Sequence, residues 1–216
     1  YDSRAMNDSA IRLLLHDPVP PEDEPETRFG GRPLAPAREP FEWPVCRTCE
    51  GNMQFLGQLR LPDDAGDRLL LLFQCQNDPG LCDDWDAESG GNRVVNIGVE
   101  GLAVVDFPDS GEVSRNTMYG ARVEEHEAGD YDEARAAWTE DHEGRGREVL
   151  GQLFGTPAWI QGDQTPECDE CGAPMRFVAQ LEEGPEIRTS MNFGGGAAYV
   201  FDCDCEAASA KLLWQQ

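Results

Sequence analysis

Eight cysteines are the residues of this chain whose type and spacing most plainly point to chemistry. They form two groups of four, Cys46, Cys49, Cys75 and Cys82, then Cys168, Cys171, Cys203 and Cys205, and each group opens on a Cys-x-x-Cys pair. Such a pair aims two thiolates at one point about 2.3 Å from each sulfur, and two more from a strand end and a loop complete a tetrahedron around zinc. Four thiolates leave no open position, so the sites are structural. Disulfides are disfavoured in a cytoplasmic chain, and a thioredoxin-like redox pair needs no further cysteines. Iron suits thiolates too, but isolated Cys-x-x-Cys pairs at strand turns favour zinc. The expectation is two structural zinc ions per chain. Cys82 follows the loop Asn77-Asp78-Pro79-Gly80, whereas Cys203 and Cys205 stand two residues apart on one strand. The first site is therefore expected to yield sooner to a chelator.

The elements that position these thiols are themselves repeated. Gly30–Gln58 and Phe154–Gln180 are two copies of one pattern: Gly31-Arg32-Pro33 answers Gly155-Thr156-Pro157, and Met53, Phe55, Gln58 and Leu59 answer Met175, Phe177, Gln180 and Leu181. Each copy continues to an apolar run ending in cysteine, LLLLFQC at Cys75 and AAYVFDC at Cys203. A duplication of this kind predicts a strand-rich α+β fold of two sheet lobes related by a pseudo-twofold, each with a zinc knuckle. The 23 glycines and 15 prolines agree with short elements and many turns.

The expected boundaries are an acidic, proline-rich extended lead-in over 1–28, a first lobe over 29–111, a connecting segment with a helix over 112–147 and a second lobe over 148–216. Within the lead-in, Met6 would be a natural start, and the five residues before it read as an expression scar. Met53–Leu61 alternates as a half-buried strand and Leu69–Cys75 is a continuous apolar one, so the two should pair as a hairpin. Arg115–Val123 reads as a strand. Asp130–Asp141 carries an aspartate cap, acidic first-turn residues and apolar Tyr131, Ala134 and Trp138 at helical spacing. Glu206–Trp214 is predicted to be a terminal helix from its propensities.

Charge excludes some partners. The net charge is −25, with 42 acidic residues against 17 basic ones, and a field of that sign repels a phosphate backbone, so nucleic acid is not expected. The run Ile11–Leu15 is too short to span a membrane or serve as a signal, and the chain reads as cytoplasmic without a membrane partner. Catalytic motifs are missing from the pattern: His16, His126 and His142 lack metalloprotease spacing, and Asn192–Gly196 precedes a strand, as a hairpin turn would, instead of opening a helix. Trp43, Gln58, Trp159, Gln161 and Gln180 could line a groove between the lobes. For the tryptophans the alternative is covering the knuckles, and for Gln58 and Gln180 it is bonding the partner strand or the Gly-x-Pro loop.

The motifs Gly30-Gly31-Arg32-Pro33, Phe41-Glu42-Trp43-Pro44, Met53–Leu61 and Val149–Gln161 resemble the bacterial YwqG-like family of domains of unknown function, over most of the chain from Phe29 onward. That resemblance implies a strand-rich α+β fold with an internal repeat. The cysteine pair Cys46 and Cys49, with Phe55-Leu56-Gly57-Gln58, is also similar to the programmed cell death protein two family, whose members act as adaptors or chaperones for a basic ribosomal protein. The reading is a non-enzymatic, zinc-stabilised adaptor whose acidic surface or interlobe groove holds a protein partner, a basic one where the acidic surface is the site; that charge also reads as a solubilising surface or an adaptation to high salt, and the alternative function is a small-ligand binder or enzyme using the groove.

Overall fold

Leucine-rich runs without polar interruption demand cover on both sides, and the fold supplies it. The structure, a computed structural model, describes residues 10–62, 67–111, 117–185 and 191–216. Its strands are β1 (Ala10–Asp17), β2 (Arg28–Gly30), β3 (Leu34–Pro36), β4 (Gln54–Leu61), β5 (Arg68–Gln74), β6 (Asn92–Gly98), β7 (Leu102–Val104), β8 (Met118–Glu127), β9 (Val149–Leu153), β10 (Arg176–Glu182), β11 (Ala197–Asp202) and β12 (Ala210–Gln215). Among the described residues one α-helix, α1 (Tyr131–Asp141), joins them. Ten strands make a single sheet in the order β12-β11-β10-β9-β1-β8-β2-β4-β5-β6, and β3 pairs with β7 apart from it.

The sheet curls until its outer strands nearly meet. The Trp214 N–H donates to the Trp85 carbonyl at 3.0 Å, Asn96 Nδ2 donates to the Ala208 carbonyl at 2.9 Å, and the rings of Trp85 and Trp214 lie 6.4 Å apart. On the concave side one core gathers Leu14, Phe29, Leu59, Leu72, Val178 and Val200 from strands far apart in the order. The convex side is covered in three patches. The first cysteine group packs on Phe55, Leu71 and Phe73, the second on Phe177, Tyr199 and Phe201, and α1 lays Tyr131, Ala134 and Trp138 over Leu13, Leu15 and Val149.

The two copies of the sequence pattern occupy matching places. Strands β2-β4-β5-β6 and β9-β10-β11-β12 run in the same order outward from the central pair β1 and β8. Gln58 stands opposite Leu71 and Gln180 opposite Tyr199, and each ladder shifts register at the same point, between Phe55 and Gly57 and between Phe177 and Ala179. The predicted hairpin of β4 and β5 forms. Its first strand is buried on both faces, however, because Gln58 points into the protein and bonds backbone there.

Three further expectations are corrected. The lead-in contains a strand, since Leu13, Leu14 and Leu15 are fully buried in β1 between β8 and β9. The terminal helix is instead β12, whose Lys211, Leu212 and Leu213 pair with Phe201, Val200 and Tyr199. Pairing with a strand that lacks a neighbour outweighs the helical propensity of EAASAKLLW. The strand expected from Arg115 runs over Met118–Glu127, and 112–116 lie outside the described residues, as does the segment 1–9 with its proposed start at Met6. The helix forms as predicted, with the Asp130 carboxylate accepting from the Glu133 N–H at 2.9 Å. Before β11, the Glu183 carboxylate accepts from the N–H groups of Phe193 and Gly195 at 2.8 and 2.9 Å, which holds the glycine turn between β10 and β11.

Candidate metal centres

Each cysteine pair sits in a turn whose backbone bonds leave two thiols on one side. In the first, Cys46 N–H donates to Gly51 O, Glu50 N–H to Cys46 O and Met53 N–H to Pro44 O, all at 2.9 Å. In the second, Cys168 N–H donates to Ala173 O at 2.9 Å, Gly172 N–H to Cys168 O at 2.8 Å and Met175 N–H to Pro166 O at 2.9 Å. The remaining ligands come from beyond β5 and β11: Cys75 N–H donates to Gly91 O at 2.8 Å and Cys203 N–H to Ser209 O at 2.9 Å. Cys203 and Cys205 thus follow the end of their strand, in the turn to β12, and do not share a strand face.

Within each group the four sulfurs lie within 4.8 Å of one another. Cys49 and Cys75 are 3.6 Å apart, Cys168 and Cys205 3.7 Å, and Cys171 and Cys203 3.5 Å. A tetrahedral ion bound to four thiolates at about 2.3 Å separates them by about 3.8 Å, whereas a disulfide needs about 2.05 Å. All eight are free thiols in an arrangement that fits two four-cysteine metal sites.

Backbone dipoles prime one sulfur in each site. The Gly51 N–H holds the Cys49 thiol down to about 7, and the N–H groups of Cys171 and Glu170 hold Cys168 down to about 6. Burial pushes Cys75 up to about 11 and raises Cys82 further. At Cys203 the Cys205 N–H pulls downward, but the neighbouring Cys205 thiol and burial outweigh it and the group reaches about 12. Cys49 and Cys168 are thus the thiols poised to ionise near neutral pH, and a bound metal ion would offset the cost of ionising the raised Cys75, Cys82 and Cys203.

The five groove candidates do not converge. Trp43 packs 5.4 Å from Phe73 and donates to Met53 O at 2.7 Å, covering the first knuckle, while Trp159 lies 4.4 Å from Tyr199, over the second. Gln58 and Gln180 are buried: Gln58 Nε2 donates to Glu26 O at 2.9 Å, and Gln180 Oε1 accepts from Ala158 N–H at 2.9 Å, in the Gly-x-Pro loop. Gln161 is exposed and donates to Gln216 O at 2.6 Å. The amides hold loops against the sheet.

Lys211 was invisible as a site residue, although its being the one lysine was a signal. Its Nζ donates to Glu88 Oε1 at 2.5 Å, Asp169 Oδ1 at 2.8 Å and Glu167 O at 2.9 Å. Asp169 lies inside the second cysteine pair and Glu88 in the loop after Cys82, so this ammonium ties the two knuckles together. Burial lowers its pKa, but Asp169 and Glu88 more than offset that and hold it above the ordinary value.

The chelator expectation also changes. Cys82 is 2% exposed, and its loop is tied down by Gln74 Nε2 donating to Asp84 Oδ2 at 2.5 Å and Asn92 Nδ2 donating to Asp84 O at 3.0 Å. Cys205 is the half-buried ligand. Metal should leave the C-terminal site first, because the more open turn is the easier one to open locally. Alkylation mapping by mass spectrometry during partial chelation checks this: Cys168, Cys171, Cys203 and Cys205 are expected to be modified before the other four. No family model matches the chain, and no curated protein matches it either, so the paired four-cysteine geometry is the ground on which its function has to be argued.

Proposed function

We propose that the protein is a zinc-stabilised, non-enzymatic adaptor of the YwqG-like kind that holds a basic protein partner, and that its halves are duplicated lobes related by a near-twofold rotation. Zinc is supported by the four-thiolate sets with no open position and by the tetrahedral sulfur spacings. The lobes are supported by the shared strand order and the shared register shift. Against catalysis stand the three histidines, which occupy separate surroundings: His16 lies 5.1 Å from the Tyr119 ring, His126 beside Glu124 at 3.0 Å, and His142 stacked 4.1 Å from Trp138.

The observation that carries a basic partner is the outer surface of α1. It exposes Asp132, Glu133, Glu140 and Asp141, with Glu143 just beyond, and its last turn contains no basic residue. Carboxylates at a helix C-terminus oppose the helix dipole by about 0.3–1 kcal/mol each. Acids kept there against the helix's own electrostatics suit a cationic surface outside it.

Affinity capture with metal-loaded protein should recover one basic protein in stoichiometric amount. Its affinity should fall at least about tenfold between low and physiological salt, where the screening length drops to about 8 Å. The triple change Glu140→Lys, Asp141→Lys, Glu143→Lys should weaken capture by a similar factor. A partner indifferent to both salt and charge reversal would refute the reading.

A further inference from the structure

Among the described residues, one stretch of the concave face is left unfilled. A trough of about 1080 Å³ opens there, floored by Ala121 and Val123 of β8 with Leu61, Leu153 and Phe154 beside them. Leu61 and Leu153 belong to the concave core, and Ala121 and Phe154 pack against it, so the floor is continuous with the protein's main apolar interior. Val123 nevertheless remains 50% exposed, an apolar side chain in the middle of a long strand with nothing among the described residues covering half of it.

The walls gather arginines from four strands. Arg12, Arg60, Arg68 and Arg176 line the trough against three carboxylates, Asp17, Glu26 and Glu125, in a chain where acids outnumber bases 42 to 17. Two other surface cavities, beside the knuckles, show no such majority: three basic and three acidic residues line one, two and three the other. The guanidiniums already grip carboxylates: Arg60 reaches Glu26 at 3.1 Å and also Asp67, and Arg176 reaches Asp204 at 3.0 Å. Arg68 and Arg176 reach the fully buried Asp202 at 2.9 and 2.8 Å, and Arg12 reaches Glu125 at 3.3 Å, a partner that is itself 64% exposed. Exposed pairs of that kind hold weakly and exchange readily for another carboxylate.

We infer that this trough binds a single-chain aliphatic carboxylate, with the tail along Ala121, Val123 and Phe154 and the head on the arginines. An apolar floor with a few fixed polar groups is the general form of a small-molecule site, and the volume lies just above the usual range of about 300–1,000 Å³, as an open trough would. Guanidinium suits the head because its planar fork matches a carboxylate. An added peptide strand fits less well. On β8 the opposite face carries Arg122 and Glu124 paired at 2.7 Å and His126 beside Glu124 at 3.0 Å, the kind of charged run that guards a strand against edge addition. On β4, Gln58 and Arg60 are already bonded to residues 24–27 of the segment before β2.

The test uses the intact metal-loaded protein and decanoate at neutral pH, with 1-decanol and decyltrimethylammonium as the same tail carrying other heads. Calorimetry should give one decanoate per chain, bound at least about tenfold tighter than either control. Val123→Glu places a negative charge on the floor at a half-exposed position and should weaken decanoate at least about tenfold; Arg12→Gln should narrow the gap between decanoate and decanol. Metal content and far-UV circular dichroism confirm that each variant is folded, and Val123→Glu carries the test should Arg12→Gln disturb the sheet. Equal affinity for the three heads, no binding below about 1 mM, or decanoate binding unmoved by Val123→Glu in a folded protein would overturn the inference. Perturbed resonances confined to the backbone edge of β8 by an extended acidic peptide, without decanoate competition, would also overturn it.

Discussion

Cys46→Ser is expected to reduce the metal content from two ions per chain to one and to unfold the protein at physiological temperature. Cys46 is fully buried at the centre of the first knuckle, and its replacement removes one of four ligands from a site with no spare donor nearby among the described residues. If the ion is zinc, as proposed, it contributes on the order of 10 kcal/mol to such knuckles, comparable to the 5–15 kcal/mol stability of a whole domain. Coordination is the source, since charge relief is not: eight thiolates and two divalent ions add −8 and +4, taking −25 to −29. The damage should spread through the whole sheet, because Leu59 and Leu72 of one half share a core with Val178 and Val200 of the other. Elemental analysis with thermal unfolding checks this, and a variant that retains two ions or melts like the parent would contradict it.

The second large effect is expected at Gly151. It lies in β9 between Leu14 of β1 and Leu181 of β10, with φ +134°, and a Cβ there would sit 1.8 Å from the Gln180 carbonyl oxygen. Neither backbone can retreat without breaking a ladder. Gly151→Ala should therefore destabilise by about 3–5 kcal/mol, in the range reserved for overpacking and forced backbone. Gly155→Ala is the control: φ is +79°, yet nothing lies within 4 Å of its Cβ, so only conformational strain of about 1–2 kcal/mol is expected. Urea unfolding of both proteins measures the difference. Equal losses would mean that the contact with Gln180 O is relieved by movement.

How legible each part was depends on whether its signal was local. The two cysteine clusters were readable because four cysteines recur with one repeat, and α1 because its cap and its buried stripe lie within one segment. β1 was not, since Ile11–Leu15 has no copy in the other half and its burial on both faces removes alternation. β12 was misread for the opposite reason: its local propensity is helical, and only the neighbouring β11 makes it a strand. Among site residues, the arginines of the trough come from β1, β4, β5 and β10, and no spacing along the chain announces their meeting.

The position of Lys211 governs how this protein can be handled by amine chemistry. The chain holds a single lysine, and its side chain is 8% exposed, clamped between Glu88 and Asp169. Succinimidyl reagents and lysine-directed acyl transfer therefore meet no accessible side-chain amine while both knuckles are closed. Reaction at that one nitrogen becomes a reporter of the junction between the knuckles opening, and it reads out on a residue that is not itself a metal ligand.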